Sequence, residues 1–259
     1  MMKRRDLLKL SMAATPLGLG LSRAVSAPAA ASYLPGVRMH RDVAVLNADR
    51  TRVKLLELCD DGTKLLVLLF IGSAFPGDTA RRLGIWCEDS ADDMALQRAL
   101  FLTYGAAGVR FVPIVCPPVY SEKNYGFPEG VFLGRPDDDP QFQQAVSQVI
   151  SKTEELRDKN FLPFSELYYD PRFVLLRNAS VELPYAALPM KEAWLGKFKW
   201  KADTRKYGTP TIWVLDRSGT VLSEPFWGNE YDTAPAVIRY TYRDVASELD
   251  TLLRRARRT

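Results

Sequence analysis

The chain has 259 residues, 47% hydrophobic and 25% charged, a balance that can bury a full core and that fits one elaborated α/β domain behind a processed leader. Its formal charge of +4 resides in residues 1–29, where Lys3, Arg4, Arg5, Lys9 and Arg23 face only Asp6; the remainder carries thirty bases and thirty acids. A balanced body argues against nucleic acid as a partner, and the absence of a long uncharged apolar run argues against a membrane-spanning helix.

The opening residues read as a secretory leader: a basic head at Lys3-Arg4-Arg5, a short apolar middle from Leu10 to Leu21, and small residues at Ala24-Val25-Ser26-Ala27-Pro28-Ala29. Pro16, Gly18 and Gly20 inside the middle stretch oppose a structural helix. Arg4-Arg5-Asp6-Leu7-Leu8-Lys9 resembles the twin-arginine (Tat) consensus. That resemblance implies the twin-arginine translocation machinery as a partner and export of the folded chain to the periplasm or cell exterior, membrane-tethered if the signal stays uncleaved. Cleavage is expected after Ala27 or Ala29. The organisation read from this is a signal peptide at 1–29, a linker at 30–42 and one domain at 43–259.

Within that domain, Val43–Leu46 and Val53–Leu55 flank Asn47-Ala48-Asp49-Arg50 and predict a hairpin. Leu65–Ile71 is a continuous apolar run ended by Gly72, the pattern of a strand buried on both faces of a mostly parallel sheet. A helical segment, Ala91–Tyr104, precedes a second such run, Val109–Cys116, and strand–helix–strand at this spacing is a βαβ unit. Ser90 and Asp93 have the spacing of an N-cap and capping box. Residues 117–140 read as irregular, and Gln141–Lys159 as an amphipathic helix. Leu167–Leu176 is expected to be extended around Asp170-Pro171, and Met190–Trp200 helical. Thr211–Leu215, the turn Asp216-Arg217-Ser218-Gly219 and Thr220–Leu222 predict an antiparallel hairpin. Ala236–Arg257 predicts a closing helix whose Arg254, Arg255, Arg257 and Arg258 complement its dipole.

In this order the chain resembles the redoxin branch of the thioredoxin-like superfamily, of the exported TlpA or ResA type. Two blocks carry the likeness: Val53–Leu58 through Lys64–Phe70, and Tyr207-Gly208-Thr209-Pro210-Thr211-Ile212-Trp213-Val214-Leu215-Asp216-Arg217-Ser218-Gly219. It spans roughly 43–256, with insertions at 73–85, 117–140 and 177–205. The resemblance implies an α/β thioredoxin-like fold, a central mixed β-sheet flanked by helices with an N-terminal β-hairpin and loop insertions. It also implies a cis Pro210 packed against the active-site thiol, with the backbone of Thr209 pairing with a bound chain; an ordinary trans turn before a strand is the alternative.

The family's nucleophilic thiol sits at a helix N-terminus just past the central strand, where the dipole favours thiolate and a cysteine three residues on resolves the mixed disulfide. Here Gly72-Ser73-Ala74-Phe75-Pro76-Gly77-Asp78-Thr79 contains no cysteine. The candidate is Trp86-Cys87-Glu88-Asp89-Ser90, which resembles a Trp-Cys-x-x-Cys site with serine in place of the second cysteine. Cys87 is the candidate nucleophile and Trp86 its neighbour in the substrate groove. Glu88, Asp89, Asp92 and Asp93 oppose a thiolate there, although acids also suit a first helical turn. Cys116, at the end of the adjacent strand, is the candidate resolving thiol, and a Cys87–Cys116 disulfide needs Cα atoms within roughly 7 Å. Cys59 lies at the far end of the central strand and reads as a buried small residue.

His40 is the only histidine and sits in a polar N-terminal segment, which argues against a multi-histidine metal site and against a Ser-His-Asp apparatus; no metal or other cofactor is expected. Ala80 and Gly84 stand where peroxiredoxin-like relatives carry proline and threonine before their nucleophile. Trp194, Trp200, Trp213 and Trp227 read as core or groove lining. Two functions therefore compete: a thiol–disulfide oxidoreductase acting on a protein thiol or disulfide, and a redox-inactive thioredoxin-like module binding an extended peptide or an envelope partner.

Overall fold

The computed structural model describes residues 36, 38–39, 41–77, 84–119, 125–159, 161–173, 175, 209–227 and 240–257. The leader at 1–29, His40 and the whole insertion at 177–205, with the segment 190–200 and its Trp194 and Trp200, lie outside the described residues.

β1 (Ala44–Leu46) and β2 (Arg52–Lys54) form the expected hairpin. The Asn47 side chain accepts from the Thr51 backbone N–H at 2.8 Å, and Arg50 takes a left-handed conformation at φ +63°. A 3₁₀ turn at Leu55–Leu58 leads to β3 (Leu65–Gly72), every residue of which is buried. α1 (Glu88–Tyr104) then crosses to β4 (Val109–Cys116), which pairs with β3 in parallel from Leu65↔Val109 to Gly72↔Cys116. Full burial of β3 requires cover on both sheet faces, which is why its sequence shows no alternation.

α2 (Pro140–Asp158) starts where Asp139 accepts from Gln141 and Phe142 N–H groups at 2.8 and 3.2 Å, with proline at the first helical position. β5 (Tyr168–Tyr169) is shorter than the extended segment expected around it and lies between β4 and β1. Pro113 accounts for part of this. The Asp170 N–H donates to the Val115 carbonyl at 2.9 Å, so odd-numbered residues of β4 face β5. Pro113 then presents its donor-less nitrogen to that side, where pairing begins only at Ile114.

β6 (Thr211–Asp216) runs antiparallel to β3, from Leu65↔Asp216 to Phe70↔Thr211, so the two apolar segments do lie side by side. The turn after β6 is built by Asp216, whose carboxylate accepts from the N–H groups of Ser218 and Thr220 at 2.8 and 2.9 Å, and by Gly219 at φ +85°. The second arm of the hairpin forms where expected and then continues. Thr220–Leu222 returns antiparallel to β6 through the Leu215↔Val221 bridge and the Asp216 N–H to Thr220 and Leu222 N–H to Val214 bonds, each at 2.9 Å, and β7 (Phe226–Trp227) pairs with β6 beyond it. Between the two registers the second arm gains two residues at Ser223-Glu224-Pro225, a bulge that suits a proline with no N–H to give.

Residues 236–239 of the expected closing helix lie outside the described residues; α3 (Tyr242–Ala256) begins at a capping box in which Thr241 accepts from the Asp244 N–H and Asp244 accepts from the Thr241 N–H. It packs beside α1, where the Tyr104 hydroxyl donates to the Ala246 carbonyl and the Asp250 carboxylate, each at 3.1 Å. The described strands form one sheet in the order β2-β1-β5-β4-β3-β6-β7. A parallel βαβ half (β3-α1-β4) joined through a helix to an antiparallel ββα half (β6-β7-α3), with the first and third helices together, is the thioredoxin-like α/β fold.

Candidate functional site

β3 ends at Gly72, and the chain leaves the sheet before returning to start α1. Ser73 donates its backbone N–H to the Cys116 carbonyl at 2.9 Å and so extends the β3 edge by one residue. Ala74 pairs with Ile85, Phe75 donates to the Gly84 carbonyl at 3.2 Å, and Trp86 donates to the Ser73 carbonyl at 3.1 Å. The Ala74 N–H is held from α2 by the Thr153 hydroxyl at 3.1 Å. The insertion at 73–85 therefore folds back on itself at its base. Cys87 is delivered to the mouth of β3 as though the insertion were absent.

Cys87 occupies the N-cap of α1, with extended backbone (φ −95°, ψ 107°). The expected Ser90–Asp93 capping box does not form. Ser90 is fully buried inside the first helical turn, where its hydroxyl accepts from the Gly72 N–H at 3.0 Å. Asp93, also buried, receives the Tyr240 hydroxyl. The serine and aspartate face tertiary partners instead of their own helix terminus, which moves the helix start three residues upstream and places Cys87 at its tip.

The Cys87 sulfur donates to the Thr209 carbonyl oxygen at 3.0 Å, and the Thr209–Pro210 peptide bond is cis, as the resemblance implied. Thr209 is buried at the entrance to β6. Cys87, Thr209 and Pro210 thus meet at the C-terminal end of β3, brought there by three elements distant in sequence. Gly72 makes this approach possible: a Cβ on it would lie 2.6 Å from the Cys87 Cβ and 3.2 Å from the Trp86 Nε1.

The electrostatics oppose a ready thiolate. Burial pushes the Cys87 thiol above its ordinary value, and the nearby Asp89 carboxylate acts in the same direction; donors from Ser90 and Thr209 work against them. Cys87 is 8% exposed. Cys116 is completely buried and its thiol is raised well above the ordinary value, by burial first, then by the Asp170 carboxylate and by coupling to the Cys87 thiol beside it. Cys59 is half-buried, not fully buried as expected, and its thiol too is raised by burial. All three cysteines are free thiols.

Trp86 is partly buried and its indole N–H donates to the Cys116 carbonyl at 2.8 Å, so it spans the gap between the two cysteines. Its ring meets Tyr125 edge-on at 6.0 Å between centroids, and Tyr125 meets Phe75 at 5.6 Å. These three rings form an aromatic border beside the thiol. Phe75 and Tyr125 were not identified from sequence, because they sit in stretches without periodicity. Trp213 is core, as expected. A separate cavity of about 550 Å³ lies between β1, α2 and the turn after β5, lined among others by Arg50, Arg52, Phe142, Tyr169, Asp170 and Arg172, and it contains none of the site residues read from sequence. Among the described residues no cluster of three or more histidine, cysteine or acidic side chains could hold a metal ion.

No family model matches the chain, and no curated protein matches it in sequence. Among solved structures, it is similar to an uncharacterized conserved protein from Geobacillus kaustophilus, at 16% identity and a TM-score of 0.44 over 86% of this chain and 84% of that one. It is similar to a thiol:disulfide interchange protein of the thioredoxin family from Chlorobium tepidum TLS, at 12% identity and a TM-score of 0.42 over 86% and 99% of the two chains. It is also similar to Peroxidoxin BcpB from Mycobacterium tuberculosis, at 14% identity and a TM-score of 0.42 over 85% and 96%.

Proposed function

We propose that this chain is an exported thiol–disulfide exchange protein that uses Cys87 as its nucleophile, with Trp86, Thr209 and Pro210 bordering the groove for a protein thiol or disulfide. One observation carries the reading: the Cys87 sulfur lies at the N-cap of α1, within 3.0 Å of the backbone that precedes Pro210. A sulfur there feels the partial positive charge of the helix N-terminus and can receive the Ser90 and Thr209 hydroxyl hydrogens once it loses its own proton. Attack on a substrate disulfide joins Cys87 to one substrate sulfur and releases the other as thiolate, which takes up a proton. Export rests on the twin-arginine-like leader, whose basic head and small-residue end are sequence features.

A second reading has its own support. The burial of Cys87 and its raised thiol favour a redox-inactive module that holds an extended peptide or an envelope partner beside Pro210. Reaction of the reduced chain with a disulfide probe, wild type against Cys87→Ser, separates the two. Loss of exchange with the serine variant is expected; exchange that persists unchanged would end the enzymatic reading.

A further inference from the structure

We infer that Cys116 is the resolving thiol for Cys87, so that the two cysteines cycle between a dithiol and an intramolecular disulfide linking the tip of α1 to the end of β4. The inference rests on the reading of Cys87 as nucleophile and supplies the partner that Ser90, standing three residues on, cannot provide.

The sheet register gives the geometry. Gly72 and Cys116 are partners in the parallel β3–β4 ladder, and register partners in parallel strands point their side chains to the same face. The position of a Cβ on Gly72 therefore marks both the face that Cys116 occupies and the place where Cys87 sits, 2.6 Å away. Neighbouring strands are about 4.8 Å apart, which puts the Cβ atoms of Cys87 and Cys116 within about 7.5 Å of each other. A disulfide needs them at about 3.5–4.5 Å. No side chain at Gly72 stands between them; the Trp86 indole borders the gap, its Nε1 3.2 Å from a Cβ on Gly72, and a shift of a few ångströms that carries the ring with Cys87 closes the pair.

Both cysteines sit at the ends of their elements. Cys87 is an N-cap whose side chain makes no capping bond, and Cys116 is the last residue of β4, followed by Pro117-Pro118. Cys59 is excluded by distance: it precedes β3, and the eight residues of that strand span roughly 26 Å. With three cysteines in the chain, Cys116 is the one remaining thiol that can reach.

The chemistry balances without a cofactor. After Cys87 has formed a mixed disulfide with substrate, the Cys116 sulfur attacks the Cys87 sulfur; the Cys87–substrate bond breaks, the Cys87–Cys116 bond forms, and the proton from Cys116 goes to the departing substrate thiolate. The substrate disulfide gains two electrons and the protein dithiol loses two. An external dithiol reverses the second half of the cycle by the same exchange.

The test treats the reduced full chain with glutathione disulfide, quenches with acid and maps the products by mass. The wild type is expected to lose two hydrogens and to yield a linked peptide pair containing Cys87 and Cys116, with glutathione on Cys87 only in passing. Cys116→Ala and Cys116→Val should each hold glutathione on Cys87 with a lifetime about tenfold longer or more. Cys59→Ser should behave as wild type. A wild-type chain that keeps glutathione on Cys87 as long as the variants do, with Cys116 still open to alkylation after unfolding, overturns the resolving role and leaves Cys87 a nucleophile. Failure of Cys87 to react in any chain overturns both readings. Should both variants fail to fold, the presence or absence of the linked pair in the wild type decides alone.

Discussion

Cys87 donates its thiol hydrogen to the Thr209 carbonyl oxygen across 3.0 Å, a contact that ties the tip of α1 to the residue before Pro210. A bond that uses the S–H hydrogen is lost on ionisation, so it favours the neutral thiol, as do burial and the Asp89 charge. Alkylation proceeds through the thiolate. The rate at Cys87 is therefore expected to climb about tenfold per pH unit through the neutral range and to level off only above the ordinary thiol value of about 8.5. Iodoacetamide labelling of the Cys87 peptide, followed by mass across pH, reads this directly. A plateau near pH 7 would mean that the helix tip and the Ser90 hydroxyl outweigh burial.

Gly72→Ala tests the close approach. The added methyl would meet the Cys87 Cβ at 2.6 Å and the Cys87 backbone nitrogen at 3.2 Å, atoms that move only if the start of α1 moves. A loss of about 1–3 kcal/mol is expected in urea unfolding. Displacement of Cys87 from Thr209 should at the same time make it more accessible, so labelling at a fixed pH should quicken. Unchanged stability together with unchanged labelling would contradict the packing described here.

Ser90→Ala removes two interactions at once. The buried Gly72 N–H loses its acceptor, which costs about 1–3 kcal/mol, and Cys87 loses a hydroxyl that favours its ionised form. The variant should be less stable, and the labelling curve of Cys87 should shift further toward alkaline pH. The second effect distinguishes a group acting on the sulfur from one that only braces the helix: a purely structural serine would lower stability and leave the curve in place.

Much of this arrangement was legible in the sequence, and the parts that were not share a cause. Leu65–Ile71 and Thr211–Leu215 announce themselves as strands because burial on two faces demands uninterrupted apolar residues, and they pair as expected. Cys87, Trp86, Thr209 and Pro210 were named from motif alone, and the structure gathers them at one sheet end. Ser90 and Asp93 misled because serine and aspartate three apart suit a helix cap by local rules; their partners, Gly72 and Tyr240, come from other elements and leave no local trace. The return of residues 84–86 onto 73–75 was equally hidden, since it depends on backbone pairing across an aperiodic loop. The β7 register was missed because a two-residue bulge has no signature beyond Pro225.

Alkaline pH is expected to destabilise this protein. Burial and the Asp250 carboxylate that accepts its hydroxyl push Tyr104 up to about 12, and burial with Glu154 raises Tyr169 as well. Burial likewise raises Cys87 and Cys116. Each of these groups is neutral when protonated and holds its proton more tightly in the folded state than in the unfolded chain. Their contribution is fully present below the unfolded values, about 8.5 for thiols and about 10 for phenols, and is lost as pH rises through the folded ones. The thermal midpoint should therefore be flat near neutrality and fall steadily from roughly pH 9 upward. Tyr104→Phe, which keeps the ring between α1 and α3 but has no proton to lose, should start less stable at neutral pH and fall less steeply. Parallel decline of the wild type and this variant between pH 9.0 and the Tyr104 value would show that the phenol is not held as its contacts to Ala246 and Asp250 require.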